Sequence, residues 1–268
     1  MNTQNLKQSV IKMNCALTLN KRIVGIKFLF TKSDYEAADV EPVKKRMHYC
    51  VMVKAAMAGT GFKATGDDLT CMGGARATGL KAADDFNKSG QHAQKLGLYR
   101  DMSTAKSVQD GICICDHHAY GIMVKPLEDY NQKPDVVMMV TNPYNIMRVI
   151  QGYSYYYGLQ SSFKMTGNQA ICSEATATPY LTNDINVSMM CIGTRHNAGW
   201  KDDELAVAFP YNRFETITNG VVETINIMDN NKKKKAIEEK LINNNIQELK
   251  IRYNHNYYDD LPMIDKAK

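Results

Sequence analysis

The sequence predicts an α/β (or α+β) fold: two related strand–helix halves packed around a shared site, plus a C-terminal helix. Three observations predict it. Short apolar runs alternate along the chain with stretches of helical periodicity. The stretch Phe62-Lys63-Ala64-Thr65-Gly66 returns as Phe163-Lys164-Met165-Thr166-Gly167, and one shift of 101 residues also places Pro42 on Pro143 and Cys71 on Cys172. Past about residue 225 comes a tail of helical spacing with the run Lys232-Lys233-Lys234-Lys235. The expected organisation is one domain over 1–225, with halves at 20–115 and 120–215, and a helical extension over 226–268.

Residues 3–19 carry Leu6, Val10, Met13 and Leu17 at helical spacing. Ile23 to Phe30 reads as a strand in which Lys27 suits an edge. Pro42 fits the first turn of a helix running to about Ala58, with Val43, Met47, Cys50 and Lys54 along one line. Gly59 to Thr65 is a turn and short strand, and Cys71 enters the glycine turn Gly73-Gly74 before a helix over 75–87. Gly111 to Cys115 and Gly121 to Val124 read as short strands around Asp116-His117-His118, and Val136 to Val140 as a buried strand. Asn142-Pro143 starts a helix to about Gly158. Asn186 to Met190 is a strand ending at Cys191, and Asp202-Asp203-Glu204 resembles the acidic first turn of another helix. A last helix spans 235–250 with Ile237, Leu241, Ile242, Ile246 and Leu249 inward.

A chain of 268 residues can bury a sizeable core. Its 44% hydrophobic and 23% charged residues are those of a soluble globular protein. The net charge of +5 is mild and owes much to the Lys run, a solvated helix start. No basic stripe with interleaved aromatics supports nucleic-acid binding. No apolar stretch reaches the roughly 20 residues of a membrane span, and no secretory signal opens the chain; the expected compartment is the cytoplasm. Seven widely spread cysteines then act as core residues, catalytic thiols or ligands rather than as disulfides. The sixteen methionines suit core filling.

Two cysteine settings resemble each other: Cys71-Met72-Gly73-Gly74-Ala75-Arg76 and Cys191-Ile192-Gly193-Thr194-Arg195, each with another cysteine about twenty residues upstream, Cys50 and Cys172. A thiolate ligand needs close backbone, amide donors and positive charge; glycine supplies the first two and arginine the third. Cys50, Cys71, Cys172 and Cys191 are therefore the candidate metal ligands. The same positions also suit buried small hydrophobes, because free cysteine is among the most buried residue types. Zinc and iron–sulfur sites both accept four thiolates. Structural zinc usually staples small domains, so an iron–sulfur cluster is the expected group and zinc the alternative. Arg76 and Arg195 are candidate anion clamps, as is Asn142, which also suits a helix cap. Glu174 is a candidate acid or base. Cys113-Ile114-Cys115 would face one way on a strand and, with His117 and His118, forms a local Cys/His cluster, or simply an apolar strand and a turn. No P-loop, dinucleotide fingerprint, nucleophile elbow or H-E-x-x-H motif occurs.

The ordered motifs resemble the DUF169 family. The resemblance runs from Val24-Gly25-Ile26-Lys27-Phe28 through Cys50 to Asp68-Leu69-Thr70-Cys71-Met72-Gly73-Gly74-Ala75, then Pro134-Asp135-Val136-Val137 with Thr141-Asn142-Pro143. It ends on Cys172-Ser173-Glu174-Ala175 and Cys191-Ile192-Gly193-Thr194-Arg195, covering roughly residues 20–215. The family, widespread in archaea and anaerobic bacteria, is one of unknown function. The resemblance implies that Cys50, Cys71, Cys172 and Cys191 sit in its recurring motifs, whereas Cys15, Cys113 and Cys115 fall outside them.

The expected function is an iron–sulfur protein holding a [4Fe–4S] cluster, with a redox or Lewis-acid role on a small anionic substrate. The alternatives are a metal-free binding or regulatory module with core cysteines, and a thiol-based enzyme. Expected partners are a redox protein or a small anionic ligand, with no nucleic acid and no membrane, and a homo-oligomer is compatible with the chain.

Overall fold

The computed structural model describes residues 3–246 and 249–253. Contacts divide the described residues into two units: one of residues 21–143 and 161–212, the other of residues 3–20, 144–160, 213–246 and 249–253. This division follows a different line from the expected 1–225 and 226–268, since the N-terminal helix and the helix after Pro143 group with the C-terminal segment.

The first unit is built on six strands: β1 Val24–Leu29, β2 Phe62–Thr65, β3 Gly121–Pro126, β4 Val136–Thr141, β5 Asn186–Ser188 and β6 Leu205–Pro210. Their order is β2-β3-β1-β4-β6-β5, antiparallel at every step. The register sets Ile26 opposite Val124 and Val136, and Met138 opposite Ala208. Alternate residues of a strand share a face, so Val24, Ile26, Phe28, Val124, Met138 and Ala208 form one apolar surface. Tyr49, Met52, Val53, Ala75, Ile171 and Ala175 complete the same core from the helices. Those residues flank Cys50, Cys71 and Cys172, so the face that drives burial also places the cysteine segments. Close packing marks the other face at Gly25: a Cβ there would stand 2.5 Å from the Tyr130 ring, whose hydroxyl donates to the Gly25 carbonyl at 3.0 Å.

Several elements depart from the sequence reading, each for a local reason. The helix expected from Pro42 begins at Tyr49; Pro42 and Met47 bridge to Lys63 and Leu69 instead, so residues 43 and 47 spend their N–H groups on backbone across from them. The helix expected over 75–87 is Met72–Ala77, ended at Gly79 with φ +72°, a left-handed turn that favours glycine. Residues 112–115 are not a strand but follow a helix, Met102–Gly111, capped by Asp101. Asp202-Asp203-Glu204 leads into β6 rather than a helix: Glu204 accepts the Lys201 N–H at 2.8 Å and closes the preceding turn. At the 101-residue register, β2 corresponds to residues 163–166, which form no strand. The Asn186 side chain bonds both the N–H and the carbonyl of Lys164 there, at 2.9 Å each.

The second unit is helical, with Thr3–Leu17, Pro143–Tyr157, Phe214–Glu223, Ile225–Met228 and Asn231–Asn243. The last helix starts earlier than expected because Asn230 accepts the Lys233 N–H at 3.0 Å, and residues 247 and 248 of the expected span lie outside the described residues. Lys234, expected in solvent, is fully buried. Arg148 pairs with Asp229 at 3.0 Å, both nearly inaccessible, while Tyr144 donates to the same carboxylate at 2.8 Å. Gly152 and Gly220 let two helices touch backbone to backbone: a Cβ on Gly220 would lie 2.0 Å from the Gly152 carbonyl oxygen.

Gly220→Ala is expected to lower unfolding stability by about 1–3 kcal/mol. Gly111→Ala, whose Cβ would meet nothing within 4 Å, is expected to stay within about 0.5 kcal/mol of the parent. Urea melts of the two variants check the pair, and equal midpoints would contradict the close crossing.

Candidate functional site: a four-thiol corner

Each of the four sequence-predicted cysteines lies in the first turn of a helix. Cys50 is the second residue of Tyr49–Met57. Cys71 is the N-cap of Met72–Ala77, and Cys191 the N-cap of Ile192–Ala198. Cys172 is the third residue of a π-helix, Ala170–Ala177. Wide i→i+5 turns are rare and occur frequently at functional sites; here the Glu174 N–H reaches the Gln169 carbonyl at 3.1 Å. The four helices pack on one another, Cys50's against Cys191's and the π-helix, and Cys71's against the π-helix.

Specific contacts fix that packing. Lys54 donates to the carbonyls of Ala198 and Gly199 at 2.6 and 2.8 Å, supplying the cation that a helix C-terminus favours and tying the Cys50 helix to the Cys191 helix. Tyr49 and Thr176 share a buried hydrogen bond of 3.0 Å, which ties the Cys50 helix to the π-helix. Gly74 sits among the cysteine segments: a Cβ there would lie 3.5 Å from the Tyr49 Cβ, 3.9 Å from that of Cys71 and 4.0 Å from that of Cys172. Met190, immediately before Cys191, holds φ +66°, a left-handed conformation uncommon outside glycine.

All four cysteines are half-buried; Cys50 stands within electrostatic range of the other three, and Cys172 within range of Cys71 and Cys191. Burial pushes the Cys50 thiol up to about 11; Cys191 and Cys71 push the same way, and a hydrogen bond with Thr194 pulls back. Cys172 is pushed up further, first by burial and then by Cys71, Cys191 and Cys50. Cys191 Sγ accepts the Thr194 N–H at 3.3 Å and lies 3.1 Å from its hydroxyl. Thr194 thus serves two of the four cysteines. The spacing Cys191-x-x-Thr194, that of a helix cap and its third residue, was the signal for it in the sequence.

The other predicted residues divide. Arg76 is half-buried near Cys71 and donates to Asn87 Oδ1 at 2.8 Å. Arg195 turns to backbone instead, donating to the carbonyls of Met189 at 3.0 Å, Glu204 at 3.2 Å and Lys201. Asn142 is exposed at the end of β4. Glu174 is buried and accepts from the Thr166 and Gly167 N–H groups at 2.6 and 3.0 Å and from the Ser188 hydroxyl at 2.5 Å, anchoring the loop that feeds the π-helix. Cys113 and Cys115 do not share a strand face. The Cys113 carbonyl accepts the Ser173 hydroxyl at 2.8 Å, beside Cys172, whereas Cys115 lies in the core. The His117 ring packs among Phe28, Phe30 and Tyr180, where burial lowers its pKa; His118 is exposed.

In donor chemistry four thiols match an iron–sulfur cluster or a thiolate zinc site. A single zinc ion, with Zn–S bonds of about 2.3 Å, draws its ligands to about 3.8 Å from each other. Among the described residues, no group of three or more His, Cys, Asp or Glu side chains is arranged to hold a metal ion. A cluster places iron and sulfide between its thiolates and so spaces them more widely.

The fold and this corner define a mixed α/β protein with four converging half-buried thiols. The chain belongs to the DUF169 family, described as uncharacterised ArCR, whose family model matches residues 12–220 and so takes in all four cysteines. It is similar to the uncharacterized protein MJ0308 of Methanocaldococcus jannaschii, 28% identical over 227 residues that cover 82% of this chain and 95% of that protein. No solved structure matches the chain. Among the described residues, no helix is long and apolar enough to cross a membrane.

Cys115 provides a test of thiol burial away from the four. Burial raises its pKa from 9.0 to about 12, and Cys113 and Asp116 add to the rise. A thiol whose folded pKa exceeds its unfolded value contributes stability that is complete below the unfolded pKa and lost as pH rises through the folded one. The stability of the metal-free chain should therefore decline above about pH 9, by up to about 1.4 kcal/mol per pH unit for this thiol. Cys115→Ala should flatten that slope in denaturant melts taken across the range, and identical slopes would exclude a buried proton at this position.

Proposed function

We propose that this protein is an iron–sulfur protein in which Cys50, Cys71, Cys172 and Cys191 hold a [4Fe–4S] cluster, with a redox or Lewis-acid role toward a small anionic substrate. The observation that carries the reading is the convergence of four thiols, from four distant segments, in one corner of the α/β unit. The direction of the pKa shifts at Cys50 and Cys172 supports it. Cys50 and Cys172 resist ionisation in the bare protein, which argues against an activated thiol nucleophile at either position, since such thiols need a lowered pKa. Metal coordination reverses that preference, because a coordinating thiol is deprotonated outright. A bound cluster would supply electron transfer, or an open iron site if one cysteine did not ligate. The chain's own part would be to hold the thiolates, to donate to Cys191 through Thr194, and to present Arg76 to an anion. Zinc is the alternative occupant. A second reading, a metal-free binding module, rests on the packing of the same cysteines against the hydrophobic core.

Protein isolated without oxygen is expected to be brown and to contain iron with acid-labile sulfide. Cys50→Ala, Cys71→Ala, Cys172→Ala and Cys191→Ala should each lose most of that iron while retaining the far-UV circular dichroism of the parent. Elemental analysis decides the outcome: colourless protein free of iron and sulfide sinks the cluster, and stoichiometric zinc replaces it.

A further inference from the structure

A cavity of about 490 Å³ opens beside Cys71, a volume typical of small-molecule sites. Four segments supply most of its wall: the start of the Cys71 helix as far as Arg76, the stretch from Asn87 to Tyr99, the stretch from Val108 to Ile114, and the loop from Thr166 to Gln169 that leads into the π-helix. Its charge is one-sided. Arg76 and His92 line it, and no Asp or Glu does. The bond to Asn87 Oδ1 uses one of the five guanidinium N–H donors and orients the rest. Asn87 is itself held by Asp84, which accepts its backbone N–H at 2.9 Å. Asp84 lies within electrostatic range of Arg76 and His92 but outside the lining.

The remaining walls split into two kinds. Asn168 Nδ2 donates to the Tyr99 hydroxyl at 3.2 Å, which leaves the Tyr99 O–H to donate elsewhere. The apolar wall is formed by Leu96, Leu98, Val108, Ile112 and Ile114, and its two leucines are 61% and 45% exposed. A larger cavity of about 630 Å³ near His117 lacks this polarity: Lys81, Lys88 and Lys106 alternate with Asp85, Asp110 and Asp116, and none of the four candidate ligands lines it.

We propose that the smaller cavity binds a small organic carboxylate, with its carboxylate on Arg76 and its hydrocarbon part against Leu96, Leu98 and Ile112, and so delivers it to the thiol corner at Cys71. A planar guanidinium pairs bidentately with a carboxylate, and a single arginine within mostly apolar walls suits a monoanion with a hydrocarbon body better than a bare phosphate. The role of the bound ligand rests on the four-cysteine reading; its binding does not.

The test is calorimetric titration of the full chain, both as isolated anaerobically and after iron removal by a chelator. The probes are the straight-chain carboxylates from butanoate to octanoate, phenylacetate, their neutral amides, and inorganic phosphate. At least one carboxylate should bind saturably to both preparations, and its amide about tenfold more weakly or worse. Arg76→Gln should weaken the carboxylate by about tenfold or more. Ala93→Trp, which fills the cavity and leaves its charge alone, should abolish binding and decides the matter if the Arg76 variant fails to fold. Saturation by none of the carboxylates, equal binding of the amide or of phosphate, or unchanged binding in Ala93→Trp each overturns the proposal. A chain that contains no iron as isolated anaerobically and still binds the carboxylate with this charge dependence supports the cavity and removes the cluster. An iron-loaded chain that binds none removes the cavity alone.

Discussion

A helix leaves its last carbonyls without partners, and at the end of Ile192–Ala198 the Lys54 ammonium supplies them, bonding Ala198 and Gly199. Lys54 stands one turn beyond Cys50, while Ala198 ends the helix that Cys191 begins. This charge-assisted contact therefore sets the relative position of two cysteines 141 residues apart in sequence. The Trp200 ring packs beneath the same ammonium at 5.0 Å, and φ +62° at Gly199 turns the chain so that its carbonyl can reach Lys54. The other two cysteines are placed against that pair. Tyr49 holds the π-helix through Thr176, and Gly74 brings the Cys71 helix against both.

The consequence is electrostatic. Burial makes ionisation of Cys50 and Cys172 less favourable, and the neighbouring thiols act on both in the same direction. Without added positive charge these two thiols favour the neutral, protonated state, and the cysteines of the corner pack against the core. With a cationic centre among them the same thiols would exchange protons for metal bonds. Irregular backbone gathers at this place as well: the π-helix around Cys172 and the left-handed Met190 before Cys191. Conformations of these kinds persist where surrounding structure over-determines them, and here the packing of four helices on the sheet does so.

Arg76 and Arg195 show how much of the site the sequence could carry. Both follow a Cys-Gly stretch and looked equivalent. Arg195 is consumed by three backbone carbonyls because the chain after its helix folds back past Lys201 and Glu204. Arg76 is held by one side chain instead, Asn87 of the next short helix, Asp85–Lys88, and that single bond leaves the guanidinium at a cavity wall. Where the following chain travels is a long-range property, and residue spacing does not encode it. The strand order has the same character. β1, β3 and β4 were legible as apolar runs, whereas β6 was hidden behind an acidic stretch that Glu204 uses for a turn, and residues 112–115 looked like a strand but pair with nothing in the sheet.

By itself the sequence determined the mixed α/β class, most of the strand and helix positions, the family, and the four cysteines as the residues to follow. These are local properties: apolar periodicity, glycine beside cysteine, and caps that lie within one turn of their helices. Only the tertiary structure decided that the four cysteine segments pack into one corner, that Cys115 and Glu174 are internal supports, and that Arg76 rather than Arg195 faces a cavity. Those outcomes depend on how side chains from one sheet face and four helices fill a single volume, and such packing is settled by contacts between residues far apart in the chain.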